Sequence, residues 1–293
     1  MATPAEKKMA KIGLALVGLF LIAVLWSAVK WSDDTSEDAE DSGEPATAPR
    51  LSVSERLAES GYEIPMGIAE RSLLDQHFAA LGGFETISSV SSLRFSGKVK
   101  FSEDLTQDVV VVKKGGDRVR ITIKSKVSQT SLCVSPEDNW KAFWNRENLI
   151  KVEDLSPEEV EEQLRYIYVV SELFLALEKG WSLKYEGVRE FEYKMAHVFE
   201  VRPDERHYVR FFIDPESFLD IGREDKVFLD DGTLEITRRI NSEHFQASKL
   251  TIPGKVETYL DGKLVQTVFI QSGTVNAGVL DTVFSRPTAG AKP

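Results

Sequence analysis

The chain has 293 residues, of which 42% are hydrophobic and 28% charged, so it is long enough to fold around a substantial core. Its formal net charge of −11 argues against a nucleic-acid-binding protein, because such proteins present positive charge to phosphates. The single cysteine, Cys133, excludes an intramolecular disulfide.

An uncharged, apolar segment at residues 12–29 has about the length that a helix needs to cross a bilayer. Three lysines precede it: Lys7, Lys8 and Lys11. Because a positive flank stays on the cytoplasmic side, we predict a cytoplasmic N-terminus at 1–11 and a transmembrane signal-anchor at 12–31. This topology places the C-terminal bulk in the periplasm, on the outer face of a bacterial inner membrane. A cleaved signal peptide is the alternative, but the apolar run is long for one and lacks a suitable cleavage site.

The next segment is strongly acidic. Residues 33–49 carry seven carboxylates and no basic residue, with no large apolar side chain. Such a composition cannot bury enough surface to fold, and like charges keep it extended. We therefore predict an acidic, disordered linker at 32–50, a folded domain at 51–288 and a disordered tail at 289–293.

Helical spacing of apolar residues opens the folded domain. After a short helix at 51–61, a clearer one is predicted at 68–81, where Leu74, Phe78 and Leu81 recur at helical spacing. The pair Gly82-Gly83 ends this helix, since glycine tolerates a left-handed C-terminal conformation.

From residue 93 the apolar period changes to two, which is typical of strands. Leu93, Phe95 and Val99 alternate with polar residues, and 109–112, 119–123 and 130–134 follow as short strands. A long helix is predicted at 156–179, starting with a capping-box pattern at Ser156. The strands before this helix predict one antiparallel meander, and those from residue 183 predict a second, with a hairpin signal at Asp261-Gly262. The total is about ten to thirteen strands, too many for one flat sheet. The fold class is therefore α+β, mainly antiparallel β.

The order of several motifs resembles the LolA/LolB-like superfamily of bacterial envelope proteins, which includes lipoprotein-sorting proteins. The similar segments are His77–Gly83, Asp138-Asn139-Trp140, residues 209–219, residues 252–263 and residues 276–284. The resemblance covers roughly residues 73–287. It implies a curved half-barrel sheet with a helical lid and an apolar cavity that accepts acyl chains, here preceded by one transmembrane helix. The retained anchor differs from the soluble carriers, whose signal peptide is cleaved.

Catalytic signatures are missing from the sequence. It contains no Gly-x-Ser-x-Gly elbow, phosphate loop, dinucleotide fingerprint or His-Glu-x-x-His motif. The four histidines are scattered, although His197 and His207 are spaced to face each other across a hairpin. Cys133 lies between apolar residues, which favours a buried hydrophobe over a nucleophile. We expect no enzyme activity, no metal and no cofactor.

The predicted function is a membrane-anchored periplasmic binding module for a lipid or lipoprotein acyl chain. The helix at 156–179 would act as the lid, and apolar side chains would line the cavity. The predicted lining residues are Phe95, Val99, Val110, Ile121, Ile123, Trp140, Leu164, Ile167, Phe174, Phe211 and Ile213. The alternative is an envelope interaction or sensor domain with a filled cavity, which binds a protein partner on its outer surface.

Overall fold

A computed structural model describes residues 67–164, 170–228, 232–288 and 290. The predicted anchor, acidic linker and short helix at 51–61 lie outside these residues, as does the predicted tail apart from Gly290. Within the described ranges, no helix combines the length and apolarity that a membrane crossing requires.

Four short helices accompany the sheet in the described residues. They are α1 (Ile68–Leu81), α2 (Phe84–Ser88), α3 (Pro157–Leu164) and α4 (Glu172–Lys179). The bounds predicted for α1 are confirmed, and Gly82 ends the helix with a φ of 124°. A side chain at Gly82 would also collide with the backbone oxygen of Lys249, so only glycine suits this position.

Fifteen strands make up most of the described chain. The first half contains β1 (Ser92–Ser102), β2 (Leu105–Lys114), β3 (Arg118–Lys124), β4 (Ser128–Val134), β5 (Trp140–Asn145) and β6 (Asn148–Asp154). The second half contains β7 (Ser182–Phe191), β8 (Lys194–Asp204), β9 (His207–Ile213), β10 (Asp220–Phe228), β11 (Leu234–Ser242), β12 (Phe245–Ala247), β13 (Leu250–Ile252), β14 (Lys255–Leu260) and β15 (Lys263–Val275).

Thirteen of these strands form one large, curved antiparallel sheet. The strand order is β6-β5-β4-β3-β2-β1-β15-β14-β11-β10-β9-β8-β7, and β12 pairs separately with β13. The two meanders predicted from the sequence are therefore joined through the last strand, because β15 pairs with both β1 and β14. At the turn between β14 and β15, Asp261 and Gly262 both have positive φ, as the predicted Asp-Gly hairpin requires.

One face of the sheet, here called the inner face, carries the helices. Leu74 and Phe78 of α1 and Leu173 of α4 are buried in one cluster with Val209 and other residues of β8 and β9. A second cluster occupies the inner face of β1 to β4 and includes Val160 of α3. The helices thus cover both halves of the inner face and set the position of the space between them.

The opposite face of β2 to β5 is also covered. A 3-10 helix at Asp281–Phe284 packs there on buried side chains such as Trp140 and Cys133. The backbone oxygen of Phe284 accepts hydrogen bonds from Trp140 Nε1 at 3.0 Å and from Cys133 Sγ at 3.3 Å. The segment that ends at Phe284 therefore buries these residues on the outer face of the sheet, away from the helices.

The prediction of a single helix at 156–179 is wrong in its continuity, because the structure has two helices there. The predicted capping box is present, since Ser156 N donates to Glu159 Oε2 and Glu159 N donates to Ser156 Oγ. However, Ser171 is extended and caps a separate helix, with its Oγ accepting from Phe174 N. A serine that caps a new N-terminus cannot also continue the preceding helix, so α3 and α4 are distinct.

Candidate functional site

A cavity lies between the inner face of the sheet and the helices. Its volume is about 240 Å³. Strands on both sides of β15 contribute to its wall, together with α1, α3, the first turn of α4 and the segment around β13. The apolar part of the wall consists of Leu81, Leu93, Phe95, Val109, Val111, Val119, Ile121, Val170, Leu173, Phe211, Ile252, Pro253, Val256, Val268 and Ile270.

Three of the residues proposed to line a cavity do so. Phe95, Ile121 and Phe211 lie in its wall. Val99 and Ile123 point to the same face but are buried in the packed cluster beside the cavity. They support the wall without reaching the space.

The remaining predicted lining residues lie elsewhere. Phe174 and Ile213 belong to the packed core beneath α1 and α4, and the side chain of Leu164 is exposed. Val110 and Trp140 pack on the outer face under the 3-10 helix, because they alternate with the inward residues of their strands. Ile167 is outside the described residues.

A row of polar side chains crosses the otherwise apolar floor. Gln266 is paired with Thr258, Thr258 with Arg239, and Arg239 with Arg223, on the consecutive strands β15, β14, β11 and β10. All four residues line the cavity. Because directly opposed residues of an antiparallel sheet lie about 5 Å apart, the four side chains form one continuous strip, here called the polar row.

A buried ion-pair network holds the Arg223 end of this row. The guanidinium of Arg223 donates to Asp225 Oδ2 at 2.8 Å through Nε and also bonds to Glu172. Asp225 is fully buried, and Nε2 of His207 lies 3.4 Å from its Oδ1. Burial alone would raise the pKa of Asp225, but Arg223 holds that pKa well below its ordinary value. Glu172 is the first residue of α4, so this network attaches α4 to the sheet.

Lys113 brings a further charge into the cavity from β2. Burial is the largest cause that lowers the pKa of Lys113, and the positive charges of Arg239 and Arg223 act in the same direction while Glu172 opposes them. Together these effects lower the pKa of Lys113 to about 7. Burial also raises the pKa of Glu172 to about 7, with Asp225 adding to the shift. The pKa of Lys113 and the pKa of Glu172 thus both lie near neutral pH.

Two cavity residues also carry polar atoms without a hydrogen-bond partner. Gln163 and Gln266 are each 2% exposed, and both line the cavity. Nε2 of Gln163 lacks an acceptor, and Oε1 of Gln266 lacks a donor. An unpaired buried polar group costs roughly 1–3 kcal/mol, so each is a site at which a ligand atom would be favoured.

The histidines and the cysteine occupy structural positions. His197 pairs across the sheet with Ile213, whereas His207 pairs with Asp204, so the two histidines do not face each other as the spacing suggested. His77 lines the cavity, with Nδ1 2.8 Å from the backbone oxygen of Phe218. Burial raises the pKa of Cys133 to about 12, which agrees with a buried, unreactive thiol. In the described part of the chain, no group of three or more His, Cys, Asp or Glu side chains is placed to hold a metal.

Comparison with solved structures finds proteins of low sequence identity that align with most of the described chain. A LolA superfamily protein from Nitrosomonas europaea has 12% identity and a TM-score of 0.46, covering 74% of this chain and 97% of its own. A putative outer membrane lipoprotein-sorting protein domain from Vibrio parahaemolyticus has 9% identity and a TM-score of 0.47, covering 73% of this chain and 95% of its own.

A DUF1329 family protein from Desulfovibrio piger has 10% identity and a TM-score of 0.48, covering 74% of this chain and 97% of its own. These neighbours include the superfamily that the sequence resembles. No family model and no curated protein matches the sequence. At such identities and TM-scores, the comparisons assign no ligand and no partner to this chain.

Sequence reasoning missed the polar part of the cavity. Lys113 follows the apolar run 109–112, and Arg223 and Asp225 alternate with outward residues on β10. Charged residues at inward positions of a strand were the available signal. That signal is weak, because β10 carries charged residues at its inward positions. Its alternation therefore does not show which side of the strand faces inward.

Proposed function

We propose that this protein is a membrane-anchored, periplasmic binding module that takes one acyl chain of a lipid or lipoprotein into its cavity. Residues 12–31 would cross the inner membrane with residues 1–11 in the cytoplasm, as the uncharged run and its lysine flank indicate. In this proposal the curved sheet acts as an unfinished barrel, and α3 and α4 act as its lid.

The observation that carries the proposal is the apolar cavity of about 240 Å³ between the inner face and the helices. A cavity of this volume has room for several methylenes of an acyl chain. Each buried methylene contributes ~0.8 kcal/mol before the cost of association. This size favours a single chain over a complete diacyl lipid.

A cavity-filling substitution tests the proposal. Val268 lies in the cavity wall on β15, whereas Leu264 on the same strand is 51% exposed. We expect Val268→Phe to weaken binding of a fluorescent fatty acid about tenfold or more, because the ring occupies the space of several methylenes. Leu264→Phe adds a comparable ring at the surface and should bind like the wild type.

The measurement uses the full chain in phosphatidylcholine nanodiscs, with protein-free nanodiscs as the blank. Native mass spectrometry of the gently extracted chain should also detect a co-purifying lipid. If the wild type neither retains a lipid nor binds the fluorescent fatty acid, the proposal fails. The envelope interaction domain would then be the better account.

A further inference from the structure

The cavity has a chemical polarity that an acyl chain alone does not explain. Its β1–β3 side is lined by apolar residues such as Phe95, Val109, Val111 and Ile121, with Lys113 of β2 as the charged residue on that side. The facing wall carries the polar row of Gln266, Thr258, Arg239 and Arg223. A purely apolar ligand would offer no hydrogen bond to this row, which is unfavourable for buried polar groups.

Three cations and two carboxylates meet at the end of the row among the described residues. The cations belong to Lys113, Arg223 and Arg239, and the carboxylates to Glu172 and Asp225. Another carboxylate of the wall, Asp220, accepts through Oδ2 from Asn241. Charged donors therefore reach this end of the cavity from three strands, β2, β10 and β11. The pKa of Lys113 and the pKa of Glu172 both lie at about 7, so near neutral pH the loss of the lysine charge and the neutralisation of the carboxylate offset each other in the net charge.

The donors in this region suit anionic oxygen. Guanidinium groups present a planar fork that matches a carboxylate or a phosphate. Nε2 of Gln163 adds a neutral donor without a partner, and Oε1 of Gln266 adds an acceptor for a hydroxyl or a water. Both glutamines are almost completely buried and line the same cavity, so bulk water does not satisfy them.

We propose that the polar row, with Lys113 and Gln163, binds the anionic head group of a single-chain amphiphile whose apolar chain lies against β1–β3. This inference rests on the proposed function, since it names the ligand class of the same cavity. The head group is a carboxylate or a phosphate monoester, which share the anionic oxygens that the guanidinium groups bind. Arg223 bonds to Asp225 and Glu172, and Arg239 and Lys113 supply the other two positive charges of the site.

The test compares ligands of one chain length and different head groups. Decanoate, decyl phosphate, decanol and decyltrimethylammonium are titrated into the full chain in phosphatidylcholine nanodiscs, with protein-free nanodiscs as the blank. We expect at least one anion to bind about tenfold or more tightly than decanol. The anion that binds more tightly identifies carboxylate or phosphate as the natural head group.

Arg239→Gln should bring the affinity for the anions close to that for decanol while leaving the decanol affinity unchanged. The neighbouring Arg238 serves as the matched control, because it pairs with Glu192 at 2.7 Å and its side chain is 41% exposed. Arg238→Gln should keep the preference for anions. If Arg239→Gln does not unfold cooperatively, Lys113→Met provides the deciding titration, with Lys114→Met as its control.

The outcomes separate the two proposals. Equal affinity for decanol and both anions in the wild type would overturn the head-group site while leaving acyl-chain binding intact. Tighter binding of the ammonium ligand would overturn it as well, and so would an Arg239→Gln variant that folds and keeps the wild-type preference. If none of the four ligands binds, the proposed function itself fails.

Discussion

We predict that replacing the lysine inside the cavity, Lys113, stabilises the protein. Lys113 has a pKa lowered from 10.5 to about 7, chiefly by burial. In the unfolded chain it remains protonated up to about pH 10. The folded state therefore has to tolerate a buried ammonium at pH 6, and Lys113→Met removes that charge while keeping a long, flexible apolar side chain.

The size of the effect follows from the change in pKa. A lowered folded-state pKa means that the folded chain binds fewer protons than the unfolded chain between pH 7 and 10.5. The free-energy cost of burying the charged lysine is therefore complete below pH 7, declines as the pH rises, and is absent above pH 10.5. At ~1.36 kcal/mol per pKa unit, it reaches at most about 5 kcal/mol. The polar contacts of Lys113 offset part of this, so we expect Lys113→Met to stabilise the fold by about 2–4 kcal/mol at pH 6.

The assay is urea unfolding of the full chain in amphipol, followed by circular dichroism at pH 6 and pH 10. The difference in the free energy of unfolding between variant and wild type is the quantity of interest, because other titrating groups cancel in it. Lys114→Met is the control. Lys114 pairs with Asp281 at 2.8 Å near the surface, and such pairs contribute about 0–1 kcal/mol.

The reasoning is refuted if Lys113→Met is less stable than the wild type at pH 6. It is equally refuted if the stabilisation is the same at pH 6 and pH 10, since a buried charge must lose its cost as it deprotonates. If Lys113→Met is more stable and also loses the preference for anionic ligands, the charge that destabilises the fold is the same charge that binds the ligand.

Two further substitutions probe the network and the outer face. Asp225→Asn should destabilise the fold by roughly 3–5 kcal/mol in urea unfolding at pH 7, because Arg223 loses a buried partner. Glu224→Gln on the same strand is the control. An equal loss of stability in both variants would contradict the role of the ion-pair network. Trp140→Phe should cost about 1–3 kcal/mol by leaving the Phe284 oxygen with one hydrogen bond fewer, and should speed proteolysis of the C-terminal segment. Unchanged proteolysis would show that Trp140 does not hold that segment.

Several features of the fold follow from local sequence alone. The sequence predicts helix α1 with its observed ends. Both signals, the helical spacing of apolar residues and the glycine that follows at Gly82, are local in the sequence. The capping box at Ser156 and the Asp-Gly turn at Asp261 are equally local, and both are confirmed. The anchor at residues 12–31 stays a prediction, since those residues lie outside the described ranges.

The direction of each side chain was harder to predict where both faces of the sheet are covered. Alternation separates two faces but does not say which one meets the cavity. Val110 and Trp140 were therefore assigned to the cavity, although the segment ending at Phe284 buries them on the outer face. That segment lies over 140 residues away along the chain from Trp140, with which it bonds. No local pattern contains this contact.

The sequence by itself determined the β-rich class, the ends of α1 and the Asp-Gly turn, because these depend on residues a few positions apart. Only the tertiary structure decided where the ligand-facing chemistry lies. Gln266, Thr258, Arg239 and Arg223 form a row solely because the register of four strands aligns them. Register depends on the pairing of distant segments, since a shift by one residue turns each of these side chains to the opposite face.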